Sequence, residues 1–425
     1  MIAWLLISFF VLLFLGVPIA MSLGLSAIGG ILFLGGGSTV TIAQRMFEGM
    51  NSFALLAIPL YTFAGFTMSK GGISKRLMDF CYSIVGHIYG GLAHVNVLSS
   101  MIFAGISGSA VADTAGVSGM FMPEMVRKGY SKNFTVAVTA ISSTIGIIIP
   151  PSIPMVVIAG ICGISTGKLF LGGIIPGILC GLAQMIVSYF MAKKEGVPKE
   201  PGHFTIGPVL HGLWESWPAL LMPIIIVGTI TMGIVSPTEA GVIAVVYGLF
   251  AGGIIYRELK WEDIKFAFAE TVRTSGRIFI VIGAAKLYTV MLTTAGFDKW
   301  VANTMLGFST NPTVILIMIL LIFFIVTMFM ESIATLTLFM PILYPIALGV
   351  GIDPIVLSVL ITVVIGVGLV TPPVGMCIYV ACDLMDVTVG EVFPTLVPFI
   401  AATFVCIVLM VAFPQLILLP TYLMA

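Results

Sequence analysis

Apolar runs of about twenty residues, the length that carries a helix across a bilayer, recur from Met1 to Leu419 with little polar sequence between them. They fall near residues 2–16, 19–35, 52–68, 134–160 and 169–192, then near 219–234, 237–256, 276–294, 355–381 and 393–419. With 59% of residues hydrophobic and 8% charged, a soluble fold would carry more apolar surface than it could bury. The chain is therefore expected to be an all-α integral membrane protein of ten crossings with no separate soluble domain. Two further apolar stretches, 91–125 and 312–346, are interrupted near their middles by small and polar residues, and both read as re-entrant hairpins. The run Ile2–Leu15 lacks a basic n-region and continues directly into another apolar segment, so it is expected to be retained rather than cleaved.

Basic residues orient these crossings. With the N-terminus outside, the inward loops hold Lys70, Lys75, Arg76, Arg127, Lys128, Lys132, Lys193, Lys194, Lys199, Arg257, Lys260, Lys265, Arg273 and Arg277, fourteen of the 18 Lys and Arg. Arg45, Lys168 and Lys299 fall outside and Lys286 sits within a span, so the positive-inside rule favours both termini on the outer face. Three polar stretches, Thr39–Asn51, His203–Trp217 and Leu259–Thr274, read as amphipathic arms along the membrane interface.

Several function classes lack support. A net charge of zero and the absence of a basic tract argue against nucleic acid. The six cysteines (81, 162, 180, 377, 382 and 406) show no metal spacing and lie in or beside apolar segments, as core thiols do. His87, His94, His203 and His211 lack metalloprotease spacing, and no nucleophile elbow occurs. Gly163–Lys168 only superficially resembles a phosphate loop, because Cys162 stands where its first glycine belongs and Leu169 replaces Ser or Thr. An enzyme is not expected, and neither is ATP drive.

The chain repeats internally. Asp113–Pro123 reads DTAGVSGMFMP and Glu331–Pro341 reads ESIATLTLFMP; GIIIPP at Gly146 matches GLVTPP at Gly368, and Val17-Pro18 matches Ser236-Pro237. Each half, 1–200 and 201–425, holds five crossings and one hairpin, and an odd number places the second half upside down relative to the first. That is the inverted-repeat plan of secondary transporters.

The interruptions carry the chemistry. Small residues from Gly105 to Thr114 permit an unwound hairpin tip, and non-helical backbone at this depth must line a polar site or be buried in protein. Each Pro-Pro pair removes two backbone donors and releases carbonyls from the preceding turn, as expected of a broken helix at 134–160 and at 355–381. Freed carbonyls suit a sodium ion. Asp113 and Glu331 lie at membrane depth, where a charge costs on the order of 3 kcal/mol, so each is expected to be functional or to cap the helix it opens. Lys286 and Glu239 are the other intramembrane ionisable residues, more often structural pairs than ligands.

At these residues the chain resembles the large membrane subunit of tripartite ATP-independent periplasmic (TRAP) transporters, with the sialic acid type as the narrower resemblance. The resemblance runs almost end to end through SGSAVADTAG (107–116), IIPPSIPMVV (148–157), TGKLFLGGIIPG (166–177), SPTEAG (236–241) and TPPVG (371–375). Val364 departs from the family pattern, where an asparagine is common, leaving carbonyls rather than an amide to serve a second cation site. The resemblance implies a small four-helix membrane partner, a periplasmic substrate-binding protein, an inner-membrane location and an elevator motion of hairpins and broken helices against a scaffold. It also implies carboxylate substrates, among them C4-dicarboxylates and sialic acid.

One sodium cancels a monoanion's charge and two make entry favourable in an inside-negative membrane, at about 2.3 kcal/mol per charge per 100 mV, so at least two sodium ions per substrate are expected. A first shell is expected at Ser107, Gly108, Ser109, Ser143, Gly146 and Ile149, and a second at Met330, Ser332, Thr335, Gly366, Gly368 and Thr371. The substrate is expected between the tips, near Asp113, Thr114, Ser152, Ser332 and Pro373. The alternative is a two-component sodium/dicarboxylate symporter that needs no delivery protein.

Overall fold

The structure, a computed structural model, describes residues 1–34, 39–197 and 205–424. Lys199, His203 and the boundary at residue 200 lie outside the described residues. The helices in chain order are α1 (Ile2–Phe14), α2 (Ile19–Leu34), α3 (Thr39–Met50), α4 (Ala57–Lys70), α5 (Ile73–Val85), α6 (Gly91–Ser107), α7 (Ala110–Arg127), α8 (Lys132–Ser143), α9 (Ile153–Cys162) and α10 (Thr166–Lys194). There follow α11 (Ile206–Thr231), α12 (Pro237–Phe250), α13 (Trp261–Thr294), α14 (Phe297–Phe308), α15 (Pro312–Thr327), α16 (Ser332–Gly349), α17 (Pro354–Gly368), α18 (Met376–Met385), α19 (Val389–Ala412) and the short α20 (Gln415–Leu418). No strand occurs among the described residues.

Local chemistry sets many boundaries. Ser131, Ser152 and Ser165 begin helices with side-chain N-caps, and so do Asn311 and Asp353. Ser236 and Glu239 form a reciprocal capping box, with Ser236 N donating to Glu239 Oε2 at 2.6 Å and Glu239 N to Ser236 Oγ at 3.3 Å. Glu239 is therefore a cap residue. The breaks at 144–152 and 369–375 lie where the Pro-Pro pairs remove donors, and both Pro-Pro peptides are cis.

Among the described residues seven helices are long and apolar enough to cross a membrane, three fewer than the expected crossings. Six of them coincide with expected spans, and the seventh is α16, one limb of the second hairpin. The other expected crossings are the broken pairs α8/α9 and α17/α18 and the shorter α1 and α2. Two of the expected arms are corrected. Only α3 stands as a separate amphipathic helix, whereas the described part of 203–217 opens the 26-residue α11 and 259–274 opens the 34-residue α13. At 1.5 Å per residue α13 is about 50 Å long, enough to span the core and project beyond it. Two further amphipathic helices, α5 and α14, follow glycines in the left-handed region.

Packing ties together loops that the alternation of crossings puts on one face. Arg76 pairs with Glu258 at 2.7 Å and lies 4.2 Å from the Tyr256 ring centroid; Ser131 Oγ bonds Glu195 at 3.0 Å, and Lys132 Nζ bonds Met385 O at 3.1 Å. On the opposite face Tyr61 OH donates to Pro237 O at 2.8 Å and Thr238 Oγ1 to Phe53 O at 3.1 Å. The main apolar core joins the first hairpin, the broken helices, α10 and α19, and a second cluster joins α1, α2, α13 and α16 through Leu5, Leu23, Tyr288, Ala334 and Leu338. Large apolar side chains that face outward, such as Phe14, Phe33 and Trp214 at about 75% exposure, are placed for lipid rather than water.

Candidate functional site

Each hairpin tip docks on a helix break that follows it. At the first tip Gly108 has φ +65°, and a side chain there would press within 2.6 Å of Pro151 O. Its carbonyl accepts the Ile153 amide at 3.2 Å. At the second tip the Met328 carbonyl accepts the Val374 amide at 3.0 Å, immediately after the second Pro-Pro pair. The broken helices also approach one another at Gly366, where a Cβ would lie 3.2 Å from Thr144 Cβ.

Around the first break the structure brings Ser107, Asp113 and Gly146 together. Ser107 hydroxyl donates to Asp113 Oδ1. Asp113 Oδ2 is buried without a hydrogen-bond partner and lies directly against Gly146, in the space a Cβ would fill. Pro150 cannot donate to the Gly146 carbonyl as a continuous helix would. The corresponding loss at Ile147 O is made good by Ser152 Oγ at 2.6 Å. A buried carboxylate oxygen and a released carbonyl thus share one glycine, and an uncompensated buried charge costs several kcal/mol. Oxygen donors of this kind suit a hard monovalent cation or a proton.

The rest of the first shell divides. Ser109 N donates to Ser107 Oγ at 3.3 Å, while Ser109 Oγ caps α7 by accepting from Ala112 N at 3.4 Å. Ser143 hydroxyl is directed to Thr139 O at 2.8 Å, and the Ile149 side chain packs against Gly177 of α10. Asp113, expected to cap α7 or to meet substrate, lies one turn inside that helix, and Ser109 takes the cap.

The second set is arranged differently. Glu331 caps α16, accepting from Ile333 N at 3.1 Å and Ala334 N at 3.3 Å, and from the Ser332 hydroxyl at 3.0 Å. Thr335 Oγ1 bonds the Glu331 carbonyl at 3.1 Å, Thr371 Oγ1 bonds Val367 O at 2.7 Å, and Met330 joins the second apolar cluster. Gly368 faces Thr327 Oγ1, a residue that sequence reasoning missed although its hydroxyl ends the unbroken apolar run 314–326. Gly368 O accepts Thr371 N at 3.1 Å and Leu369 O accepts Cys377 N at 2.9 Å, so protein donors already reach both carbonyls.

The expected substrate residues differ in exposure. Asp113, Thr114, Ser152 and Ser332 are buried, and only Pro373 is exposed. Thr114 hydroxyl is tied to Ala110 O at 2.8 Å. A cavity of about 170 Å³ does occur elsewhere, between α3, α9, α13 and α16, and Lys286 lines it.

With this geometry in hand, comparison with known proteins is specific. Residues 6–416 match the family described as "Tripartite ATP-independent periplasmic transporter, DctM component". The chain is 35% identical to the sialic acid TRAP transporter large permease protein SiaM of Vibrio cholerae, over 96% of this chain and 95% of that one. It is 35% identical to the C4-dicarboxylate TRAP transporter large permease protein DctM of Pseudomonas aeruginosa, over 95% and 94%. It is also 37% identical to the isethionate TRAP transporter permease protein DctMQ of Oleidesulfovibrio alaskensis, where it spans 92% of this chain but 62% of that longer protein. A crystal structure of the Alcanivorax borkumensis YdaH transporter shares the fold, with a TM-score of 0.60 at 13% identity over 89% of this chain and 88% of that one. The chain belongs to the DctM family, the large membrane component of tripartite ATP-independent periplasmic transporters.

Proposed function

We propose that this chain performs sodium-coupled uptake of a small carboxylate across the bacterial inner membrane, with at least two sodium ions per substrate. The observation that carries the reading is the buried, unpartnered Asp113 Oδ2 beside Gly146, next to a carbonyl that Pro150 leaves without its helical donor. Sodium is cargo here, held first by Asp113, the Gly146 carbonyl and Ser107. A second ion sits at Gly368, Thr327 and Thr371, with the carbonyls of the second tip. The carboxylate is held between the tips by backbone donors, hydroxyls and the adjacent ions.

The matched motifs and odd number of crossings per half support an inverted repeat, with both termini periplasmic. Small-residue contacts support an elevator motion of hairpins and broken helices. A Cβ at Gly65 would sit 3.3 Å from Ser107 Cα, and one at Gly105 would sit 2.5 Å from Pro223, so the first hairpin meets α4 and α11 along a bare seam. The names of the relatives support a small Q-type membrane subunit and a periplasmic binding protein as partners. They cover two kinds of carboxylate, sialic acid and C4-dicarboxylates, and one sulfonate, isethionate, so the class they share is the small organic anion, with carboxylate the narrower reading and sialic acid the narrowest.

The test is uptake of labelled sialic acid and succinate into proteoliposomes holding the chain and its small subunit, with and without binding protein and an inward sodium gradient. Uptake of either acid that needs both, with two or more sodium ions per substrate, supports the proposal. Electroneutral or sodium-independent uptake overturns the coupling. Sodium-driven dicarboxylate uptake without the binding protein selects the two-component alternative.

A further inference from the structure

Lys286 is the basic residue that the crossings place within a span, and its surroundings are specific. Gly49 of α3 packs on its stem, since a Cβ there would come within 2.6 Å of Lys286 Cβ. A neighbouring approach at Gly283, 3.2 Å from Met46 O, presses the same two helices together. The stem is thus clamped between α3 and α13, and the side chain lines the cavity of about 170 Å³ together with Glu48, Ser52, Gly160, Thr337 and Pro341. Glu48 and Lys286 come from α3 and α13 on one side, Ser52 from the turn after α3, and Gly160, Thr337 and Pro341 from α9 and α16, a broken-helix limb and a hairpin limb, on the other.

The cavity holds one acid and one base, and the acid has a closer partner outside it. Glu48 and Lys286 are its charged lining residues. Glu48 is already committed to Arg45 at 2.7 Å, and that hydrogen bond, with the nearby Lys286 charge, holds its carboxyl below the ordinary range. No ion pair within 4.0 Å is formed by Lys286 among the described residues. The lining's formal charge is zero, but with Glu48 bonded to Arg45, which lies outside the lining, the Lys286 ammonium keeps no ion pair of its own, in a recess whose remaining walls are apolar or hydroxylic. Low-dielectric walls focus such a field and concentrate small anions. In the proposed orientation Ser52, Gly160 and the outer end of α13 place the cavity toward the periplasmic face.

We propose that Lys286 holds the carboxylate of an arriving substrate in this cavity, as a waiting site distinct from the one between the hairpin tips. The assignment rests on the carboxylate-uptake reading, and its position between α13 and the hairpin limb α16 puts the anion beside the elements that must move. Lys286 is a binding residue for the approaching acid, and Glu48 bonds Arg45.

Two measurements on the chain with its small subunit test this. The first places a reporter thiol at Ser52 (Ser52→Cys) and compares its modification by the anionic sulfonatoethyl and the cationic trimethylammonioethyl methanethiosulfonates, with the parent chain as control. Lys286→Gln should lower the anionic-to-cationic rate ratio on the order of tenfold, Lys286→Arg should preserve it, and Glu48→Gln should not lower it. An unchanged ratio in Lys286→Gln, or the same fall in Glu48→Gln, overturns the proposal. The second measures uptake of sialic acid and succinate, where Lys286→Gln should raise KM on the order of tenfold with kcat little changed. A fall in kcat alone overturns the waiting role. Absence of uptake of both acids by the unmodified transporter would count against the carboxylate reading, while the thiol measurement would still decide whether the cavity gathers anions.

Discussion

The two hairpin and broken-helix units carry matched sequence but use their carboxylates differently. In the first, the turn at Gly108 and the cap at Ser109 start α7 early, so Asp113 falls one turn inside the helix with one oxygen bonded to Ser107 and the other free. In the second, Met328-Phe329-Met330 offers no polar cap, the helix starts only at Ser332, and Glu331 is spent on the amides of residues 333 and 334. The difference continues at the breaks. Pro150 leaves the Gly146 carbonyl without its helical donor while Ser152 serves only Ile147 O, whereas Thr371 and Cys377 donate to the carbonyls of Gly368 and Leu369. A repeat in sequence has become one acid with a free oxygen and one engaged as a helix cap, because shifting a helix start by a single turn moves the acid from interior to cap.

The sharpest way to break this comparison is to neutralise both acids. Asp113→Asn should cost about 3 kcal/mol of cation binding, a loss on the order of a hundredfold in apparent sodium affinity. Glu331→Gln, whose amide oxygen can still accept the same backbone amides, should shift that affinity by no more than about twofold. Equal losses in sodium titrations of uptake would erase the distinction. Next in size, Gly146→Ala drives a methyl into the buried Asp113 carboxylate, and overpacking of about 1–3 kcal/mol should lower sodium affinity on the order of tenfold.

Gly368→Ala meets the Thr327 hydroxyl, the Thr327 Cβ at 2.7 Å and the Phe324 carbonyl at 3.3 Å, and its effect on sodium-dependent uptake should be a few-fold, smaller than that of Gly146→Ala. A loss as large as at Gly146 would erase the distinction between the two breaks. The smallest expected change is in stability: Glu331→Ala removes a cap worth about 1 kcal/mol, visible as a lowered unfolding temperature in detergent with sodium affinity nearly intact.

Much of the architecture was legible because its causes are local. Hydropathy marked the crossings, small residues marked the tip at 107–109, and Pro150-Pro151 and Pro372-Pro373 marked both breaks. The arms at 203–217 and 259–274 were misread because polar composition distinguishes an interfacial helix from a spanning one but does not reveal whether the backbone stays helical between them. α11 and α13 do so, and their polar ends simply project from the membrane. Ser236 already hinted at the role of Glu239, since the two stand at capping-box spacing; its assignment to an intramembrane pair overlooked that local signal.

The candidate site was legible only in part. Ser107, Asp113 and Gly146 are close in space although 39 positions separate the first from the last, and pattern alone did not say that the acid lies against Gly146. The sequence by itself determined the membrane class, the duplicated motifs and the places where helices must break, because hydropathy and a missing proline N–H act on the chain's own neighbourhood. Only the tertiary structure decided that Asp113 keeps a free oxygen, that Glu331 does not, and that Lys286 faces a cavity, because each depends on which distant groups arrive to satisfy a buried polar atom.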